Sequence, residues 1–396
     1  MKKLAILGST GSIGTSTLSI CESFPDRYQP IALAAGQNID VAFAQCQRWR
    51  PQVISVATEQ LAATLQQRLS TAGITGIEVI HGIAGTVSIA TLPEVDFVVS
   101  AIVGVAGLEA TYAAVKAGKT IGLANKECLV AAGELIMAAA KEHNVALLPI
   151  DSEHNAVHQC MRGGTPAEVR QIWLTASGGP FRNTPLAGFE HITPAQALKH
   201  PTWVMGQRIT IDSATMMNKG FEVIEACRLF SLPAAQVRVS IHPQSTVHSM
   251  VEYIDGSILA QISVTDMRLP ILYALAYPER VDATPAAGLQ FDLAALSQLD
   301  FSAPDLDRFP CLRLAYEAAE TGGEACIALN AADEIAVAAF LEGRIPFLGI
   351  PRTIEQVLQQ TSGRRPSSIQ DVLDADLRAR ACARDVIAHQ FSGVVR

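Results

Sequence analysis

Charge is scarce in this chain. Asp, Glu, Lys and Arg make up 17% of its 396 residues, against 49% for the apolar types. That balance excludes a disordered scaffold and fits a well-buried globular protein of two or three domains. What charge there is leans acidic, with a net of −8 at pH 7. This argues against a general nucleic-acid surface and against an anionic membrane, while leaving room for a local basic pocket. No long apolar run occurs. Phe97–Leu108, the longest, falls short of the roughly 20 residues of a bilayer-spanning helix. No C-x-x-C pair occurs among the eight cysteines, Cys21, Cys46, Cys128, Cys160, Cys227, Cys311, Cys326 and Cys382. They read as reduced, mostly buried thiols of a cytoplasmic protein. The opening MKKLAILG has the basic head of a signal peptide, but its apolar residues run straight into a glycine-rich turn. It reads as a first strand. No repeat or low-complexity tract is evident.

What is there is strand and helix in alternation. KLAILG, IALAAG, VISVA, DFVVSAI, TIGLAN and VALLPI, spread over residues 1–150, are short β-rich runs separated by helical stretches. Such alternation predicts an N-terminal Rossmann-like α/β domain with a parallel sheet. Residues 151–285 change pattern. VRQIWLTAS, RITIDSAT, VRVSIHP and HSMVEYIDGSILAQIS read as strands, with a helix near 216–230 and a hairpin turn at Asp255-Gly256. The expectation is a central α+β catalytic domain with an open sheet. Inside it, residues 178–207 form a long stretch rich in Gly, Pro and polar residues, and a loop of that length is usually functional or disordered. Residues 286–310 read as a linker, and 311–396 as a C-terminal helical domain, as in LNAADEIAVAAFLEG.

GSTGSIG (8–14) follows the first strand and opens a helix. Glycines let backbone approach a pyrophosphate, and the helix N-terminus offers it N–H donors. Thr10, Gly11, Ser12 and Ile13 would line the phosphates. A plain tight turn uses glycine too, but the place on the first strand favours a dinucleotide. The second strand ends in Gly36, Gln37 and Asn38, with no acidic residue for the ribose hydroxyls of NAD. That leaves room for the 2′-phosphate of NADP, unless Asp40 serves the ribose from farther along.

DSEHNAVH (151–158) holds two carboxylates two apart and two histidines four apart. Asp151 and Glu153 suit a hard cation such as Mg²⁺ or Mn²⁺. His154 and His158 share a helix face and suggest zinc, yet no third zinc ligand is evident nearby. In IDSATMMNKGFEVIEACRLF (211–230), Asn218, Lys219 and Glu222 can share one helix face. Ser213, Asn218 and Lys219 suit a phosphate, and Glu222 could join Asp151 and Glu153 as a third carboxylate. From spacing alone, Lys219 and Glu222 read more readily as a solvated helix face. TASGGPF (175–181) places Ser177 where it could wall an anion site, or merely start a loop. KHPTWVMG (199–206) puts His200 and Trp203 in the long stretch, where the tryptophan covers a ligand or packs on its own domain.

GSTGSIG, ANKECLV, PIDSEHNA, LTASGGPF, KHPTW, IDSATMMNKGFEVIEA, IHPQSTVHSMVEY and LNAADEIAV occur in this order. Together they resemble the 1-deoxy-D-xylulose 5-phosphate reductoisomerase family over essentially the whole chain. The resemblance implies a homodimeric, cytoplasmic enzyme of non-mevalonate isoprenoid precursor synthesis. It would act on a small sugar phosphate with NADPH and Mn²⁺ or Mg²⁺, Co²⁺ being a further candidate. By the same resemblance Asp151, Glu153 and Glu222 match the metal ligands and, with Lys126, the catalytic set. Lys126, Ser152, Glu153, Ser177, His200, Ser213, Asn218, Lys219 and Glu222 match substrate-binding positions. Trp203 matches the aromatic residue of a mobile flap over 178–207. Thr10, Gly11, Ser12, Ile13, Gly36, Gln37, Asn38, Asn125, Glu127 and Gly206 match cofactor positions. Two other readings remain: a plain NADP-dependent dehydrogenase, which needs no cation, and a non-catalytic NADP sensor, which would not turn NADPH over.

Overall fold

β1 (Lys2–Leu7) is apolar on both faces, and Leu4, Ala5, Ile6 and Leu7 have no exposed surface. A run of that kind suits the middle of a parallel sheet, where this strand lies. The other strands are β2 (Tyr28–Ala34), β3 (Val53–Val56), β4 (Glu78–His81), β5 (Phe97–Ser100), β6 (Thr120–Leu123) and β7 (Leu147–Pro149). Their order is β4-β3-β2-β1-β5-β6-β7, with every pairing parallel. The order reverses at β1, and ligands of open parallel sheets bind at the carboxyl ends of strands beside such a reversal. Connecting helices are α1 (Ser12–Ser23), α2 (Ile39–Trp49), α3 (Glu59–Thr71), α4 (Gly82–Ala90), α5 (Leu108–Lys116) and α6 (Lys126–Glu142), and α7 (Ser152–Cys160) follows β7.

A second sheet holds β8 (Val169–Ala176), β9 (Val237–Ile241), β10 (Val247–Tyr253) and β11 (Ile258–Ile262), ordered β11-β10-β8-β9. β8 and β9 are parallel and the other pairs antiparallel. Asp255-Gly256 turns the β10–β11 hairpin as expected, with the Ser257 N–H donating to Asp255 Oδ1 at 2.8 Å. The remaining helices are α8 (Pro194–Ala197), α9 (Gln207–Thr215), α10 (Met217–Phe230), α11 (Arg268–Ala276), α12 (Pro310–Thr321), α13 (Glu324–Leu341), α14 (Gly349–Gln359) and α15 (Ile369–Gln390).

This computed structural model describes residues 1–199 and 206–391. The chain divides into two compact units. The first holds Met1–Cys128, Ile136–Asn155 and Asp266–Phe291, and the second Leu129–Leu135, Ala156–Thr265 and Asp292–Arg396. The expected fold class holds, with a Rossmann-like sheet, an open mixed sheet and a helical C-terminal part. Among the described residues no helix is long and apolar enough to cross a membrane. All eight cysteines are free thiols, six of them buried.

Three local expectations need correction. RITIDSAT is helix α9, not a strand. Its Ile and Thr residues mimic a strand, yet Thr210, Ile211 and Ala214 are buried at helical spacing. Thr210 Oγ1 donates to the Gly206 carbonyl one turn back at 2.8 Å, as a helical threonine can. β4 and α11 went unread. α11 is RLPILYALA, buried at every position from Pro270 to Ala276, so it shows no helical period. The third concerns residues 178–199, the described part of the expected flap apart from Gly206 and Gln207, which are not one open loop. Phe181 and Phe189 are buried, with rings 5.4 and 5.9 Å from Phe347, and Phe189 also lies 5.5 Å from Phe309. α8 carries a capping box between Thr193 and Gln196. His200 and Trp203 lie outside the described residues.

Candidate active site

In the first unit the glycine-rich loop is fixed from several sides. Gly8 ends β1 with φ +87°, and a Cβ there would lie 2.5 Å from the Ala101 carbonyl oxygen, so only glycine fits. Ser9 Oγ donates to Gln45 Oε1 and Gln45 Nε2 returns to the Ser9 carbonyl, both at 2.8 Å. Thr10 Oγ1 donates to the Ala35 carbonyl at 2.8 Å, tying the loop to the end of β2. Gly11 is the N-cap of α1 and provides no side-chain cap. The first-turn N–H groups therefore await an external acceptor, and with no acidic residue in that turn the helix end suits a phosphate.

At the end of β2, Gly36 (φ +61°), Gln37 and Asn38 are exposed. Asn38 caps α2, its Oδ1 accepting from the Val41 N–H at 3.1 Å. Asp40, whose side chain is largely exposed, pairs with Arg68 at 2.7 Å. Asn125 is 2% exposed and its side chain is committed. Its Oδ1 accepts from Cys128 N–H at 3.2 Å, and its Nδ2 donates to the carbonyls of Gly104, at 2.9 Å, and Ile102. It shapes the β5 loop and caps α6. Glu127 follows in the first turn of α6.

The carboxylates emerge where β7 passes into α7. Asp151 pairs with Lys126 at the start of α6, both side chains nearly buried. Ser152 Oγ donates to Glu153 Oε2 at 2.6 Å. Asn155, which the sequence reading passed over, locks this turn. Its Nδ2 donates to the carbonyls of Pro149 at 2.8 Å and Pro270 at 3.2 Å. His154 is fully buried with Nδ1 3.9 Å from Asp151 Oδ2, beyond hydrogen-bond length. In the second unit, burial and nearby Arg162 hold His158 below the usual imidazole pKa.

The second unit gathers the phosphate candidates. Ser177 follows β8, and its Oγ accepts from the Gly179 N–H at 3.2 Å. Gly179 has φ +66°, and a Cβ on it would come within 2.6 Å of the Ser213 carbonyl oxygen. Glycine thus lets the Ser177 loop touch the end of α9 at Ser213. Met216, left-handed at φ +62°, turns the chain from α9 into α10. On α10, Asn218 Nδ2 donates to Glu222 Oε1 at 2.6 Å, and Lys219 pairs with the other oxygen of Glu222. Lys219 is 4% exposed and Glu222 1%. The solvated-face reading is therefore wrong for both. Buried charges persist only when paired, and here the pairing leaves a carboxylate rigidly aimed. Gly206, the N-cap of α9, has no atom within 4 Å of a built Cβ.

The donor sets fit the implied groups. Carboxylate oxygens, which Asp151 and Glu153 offer in the first unit and Glu222 in the second, are the donors that a hard divalent cation takes. The open N-terminus of α1 suits a pyrophosphate.

Three family models match the chain: 1-deoxy-D-xylulose 5-phosphate reductoisomerase over residues 4–133, its C-terminal domain over 147–230, and the DXP reductoisomerase C-terminal domain over 262–382. The chain is 52% identical to the 1-deoxy-D-xylulose 5-phosphate reductoisomerase of Solibacter usitatus, covering 100% of both chains. It is 53% identical to that of Methylococcus capsulatus, over 98% of this chain and 99% of the relative. Among solved structures it is similar to the Zymomonas mobilis enzyme in complex with NADPH, with TM-score 0.90 and 45% identity, covering 98% of this chain and 99% of that one. It is also similar to a DOX-P reductoisomerase in complex with NADPH, fosmidomycin and magnesium, with TM-score 0.91 and 44% identity, covering 98% of each chain.

Proposed function

The chain belongs to the 1-deoxy-D-xylulose 5-phosphate reductoisomerase family, and from that premise we propose how its residues divide the work. The activity is the NADPH- and divalent-cation-dependent rearrangement and reduction of 1-deoxy-D-xylulose 5-phosphate to 2-C-methyl-D-erythritol 4-phosphate. Residues 1–150 bind NADPH and 151–285 carry the chemistry, with 286–310 as linker and 311–396 as the helical C-terminal part.

Asp151, Glu153 and Glu222 are the cation ligands in this reading, Mn²⁺ or Mg²⁺ serving. When bound, the cation supplies Lewis-acid stabilisation of negative charge on substrate oxygens, and NADPH supplies the hydride. The chain's own residues do the rest. Lys126 Nζ, held beside Asp151, donates to a substrate hydroxyl and assists proton movement there. Ser152 positions Glu153 through its 2.6 Å hydrogen bond. Ser177, Ser213, Asn218 and Lys219 anchor the phosphate, far from the reacting carbons, and its binding energy orients the chain. Lys219 shares its charge between Glu222 and the arriving phosphate. His200 and Trp203, which lie outside the described residues, are the further substrate-side residues that the family resemblance implies.

Thr10, Gly11, Ser12 and Ile13 receive the pyrophosphate through backbone N–H groups and hydroxyls. Gly36, Gln37 and Asn38 face the ribose phosphate, while Asn125, Glu127 and Gly206 complete the nicotinamide side, Asn125 by its fixed loop.

The observation that carries the reading is the Asn218–Lys219–Glu222 cluster, a buried carboxylate and a buried cation held beside a part-buried neutral donor. The test follows NADPH oxidation with the deoxyxylulose phosphate, after chelation and again with Mn²⁺ restored. Turnover that requires the cation supports the reading, and full turnover without it returns the plain dehydrogenase.

The enzyme works as a cytoplasmic homodimer in this proposal. Free cysteines support the compartment. Edge strand β11 exposes Ile258, Leu259 and Ile262, and an uncovered apolar edge invites a second copy. Light scattering of the parent and of an Ile258→Lys variant tests this: a parent that is already a monomer sinks it.

A further inference from the structure

Arg208 stands at the second position of α9, where a cation opposes the helix dipole. Its partners explain it. Nη2 donates to Asn330 Oδ1 at 2.9 Å and to Asp333 Oδ2 at 3.3 Å, and Nη1 donates to Glu334 Oε2 at 3.2 Å. Asp212, one turn on, brings Oδ2 to 3.7 Å from Nε. Asn330 and Asp333 have no exposed surface, and they sit three apart among the buried apolar residues of α13. Glu334 is held in turn by both Nη groups of Arg380 on α15, at 3.0 and 2.9 Å. The guanidinium also lies 5.8 Å from the ring centre of Phe221, a cation–π distance. Phe221 is 1% exposed and lies on α10 between Lys219 and Glu222.

One side chain therefore joins α9 to α13 and to the core face of α10. Ser213 lies five residues on, at the end of α9, and Asn218 and Lys219 lie on α10. We propose that Arg208, seated in the socket of Asn330, Asp333 and Glu334 and lying over Phe221, is a positioning residue for the phosphate end of the substrate. It sets α9 and α10 in one register, so that Ser213, Asn218 and Lys219 converge. A planar fork spreads five donors over three nitrogens in fixed directions and so reaches acceptors on both sides, which the single nitrogen of a lysine does not. This explains the polar interruption in LNAADEIAV, which has no direct role in the chemistry. The inference rests on the phosphate site proposed above.

The test uses the full-length enzyme with NADPH and Mn²⁺, and inorganic phosphate as a competitive inhibitor. Arg208→Lys keeps charge but loses the fork. It should raise KM for the sugar phosphate and Ki for phosphate together, roughly tenfold, with kcat within about twofold and NADPH affinity unchanged. Asp333→Asn attacks the socket from the other side and should raise both constants by a smaller factor, which keeps the test alive if Arg208→Lys folds poorly. Ser213→Ala reports on the phosphate site itself. If both socket variants lose kcat alone, with KM and Ki intact while Ser213→Ala raises them, the positioning role is overturned and the phosphate site stands. An unchanged Ki in Ser213→Ala overturns the site and the inference with it.

Discussion

Lys219 and Glu222, three residues apart on α10, form an ion pair with side chains only 5% and 1% exposed. Asn218 donates to the other Glu222 oxygen at 2.6 Å. The carboxylate is thus fixed by two neighbours on its own helix. Removing either charge takes from the other, buried one its nearest opposite charge. Such a pair is poorly suited to stability alone and well suited to presenting one oxygen-rich ligand in a fixed place.

Glu222→Gln keeps the shape of this ligand and removes its charge. Divalent-cation affinity should weaken and turnover should fall by roughly two orders of magnitude or more. NADPH binding, which depends on the loop after β1, should stay near normal. Near-normal turnover at low Mn²⁺ would remove Glu222 from the ligand set. His154→Ala should retain cation binding, and its loss in isothermal titration would bring back the histidine-based site.

The sequence was a good guide where one residue type has one use. Alternating strands and helices gave the parallel sheet, and the loop after β1 gave its anion-ready helix end. It was a poor guide where burial decides. Lys219 and Glu222 at three-residue spacing look like any surface pair until α10 is packed. α9 deceived because Ile209, Thr210 and Ile211 favour strands by propensity, while its packing is helical. Arg208 gave no motif of its own. Its one signal was Asn330 and Asp333 set among the apolar residues of a helix, an expense that buried polar groups incur only with partners.

The aromatic contacts of residues 178–199 predict a firm anchor rather than a fully mobile flap. Phe189 is fully buried among Phe181, Phe309 and Phe347. Phe189→Ala should cost about 3–5 kcal/mol in urea unfolding. A change within about 0.5 kcal/mol, typical of surface sites, would show that this segment is not packed in solution.

Asp333 predicts a pH effect. Burial pushes its carboxyl up from 3.8 to about 6, with Arg208 beside it pulling the other way. The folded state therefore holds this proton more tightly than the unfolded chain. Its ionisation costs stability as pH rises from about 4 through about 6, and the cost is complete above that. Asp333→Asn cannot ionise. Its Tm relative to the parent should be more favourable at pH 7.5 than at pH 5. A difference that does not vary between these pH values, or that runs the other way, would show that Asp333 ionises as an ordinary carboxylate.

Gln37 governs the last prediction. It stands exposed just beyond β2, between Gly36 and the α2 cap Asn38. The one acidic group close by in sequence, Asp40, pairs with Arg68 at 2.7 Å, and Gly36, Gln37 and Asn38 themselves carry no acidic group for the ribose hydroxyls of NADH. Gln37 can donate a neutral hydrogen bond to the 2′-phosphate. An arginine would donate a charged one. Neutral hydrogen bonds contribute about 0.5–1.5 kcal/mol and charged ones about 1.5–3, so the exchange is worth roughly 1 kcal/mol, or a several-fold preference. NADPH should therefore be preferred by the parent, NADH should work poorly, and Gln37→Arg should widen the gap by that factor. The measurement is kcat/KM for both cofactors in both proteins. Equal ratios in the two would place Gln37 away from the ribose phosphate, and a parent preference for NADH would mean that the end of β2 reads a hydroxyl after all.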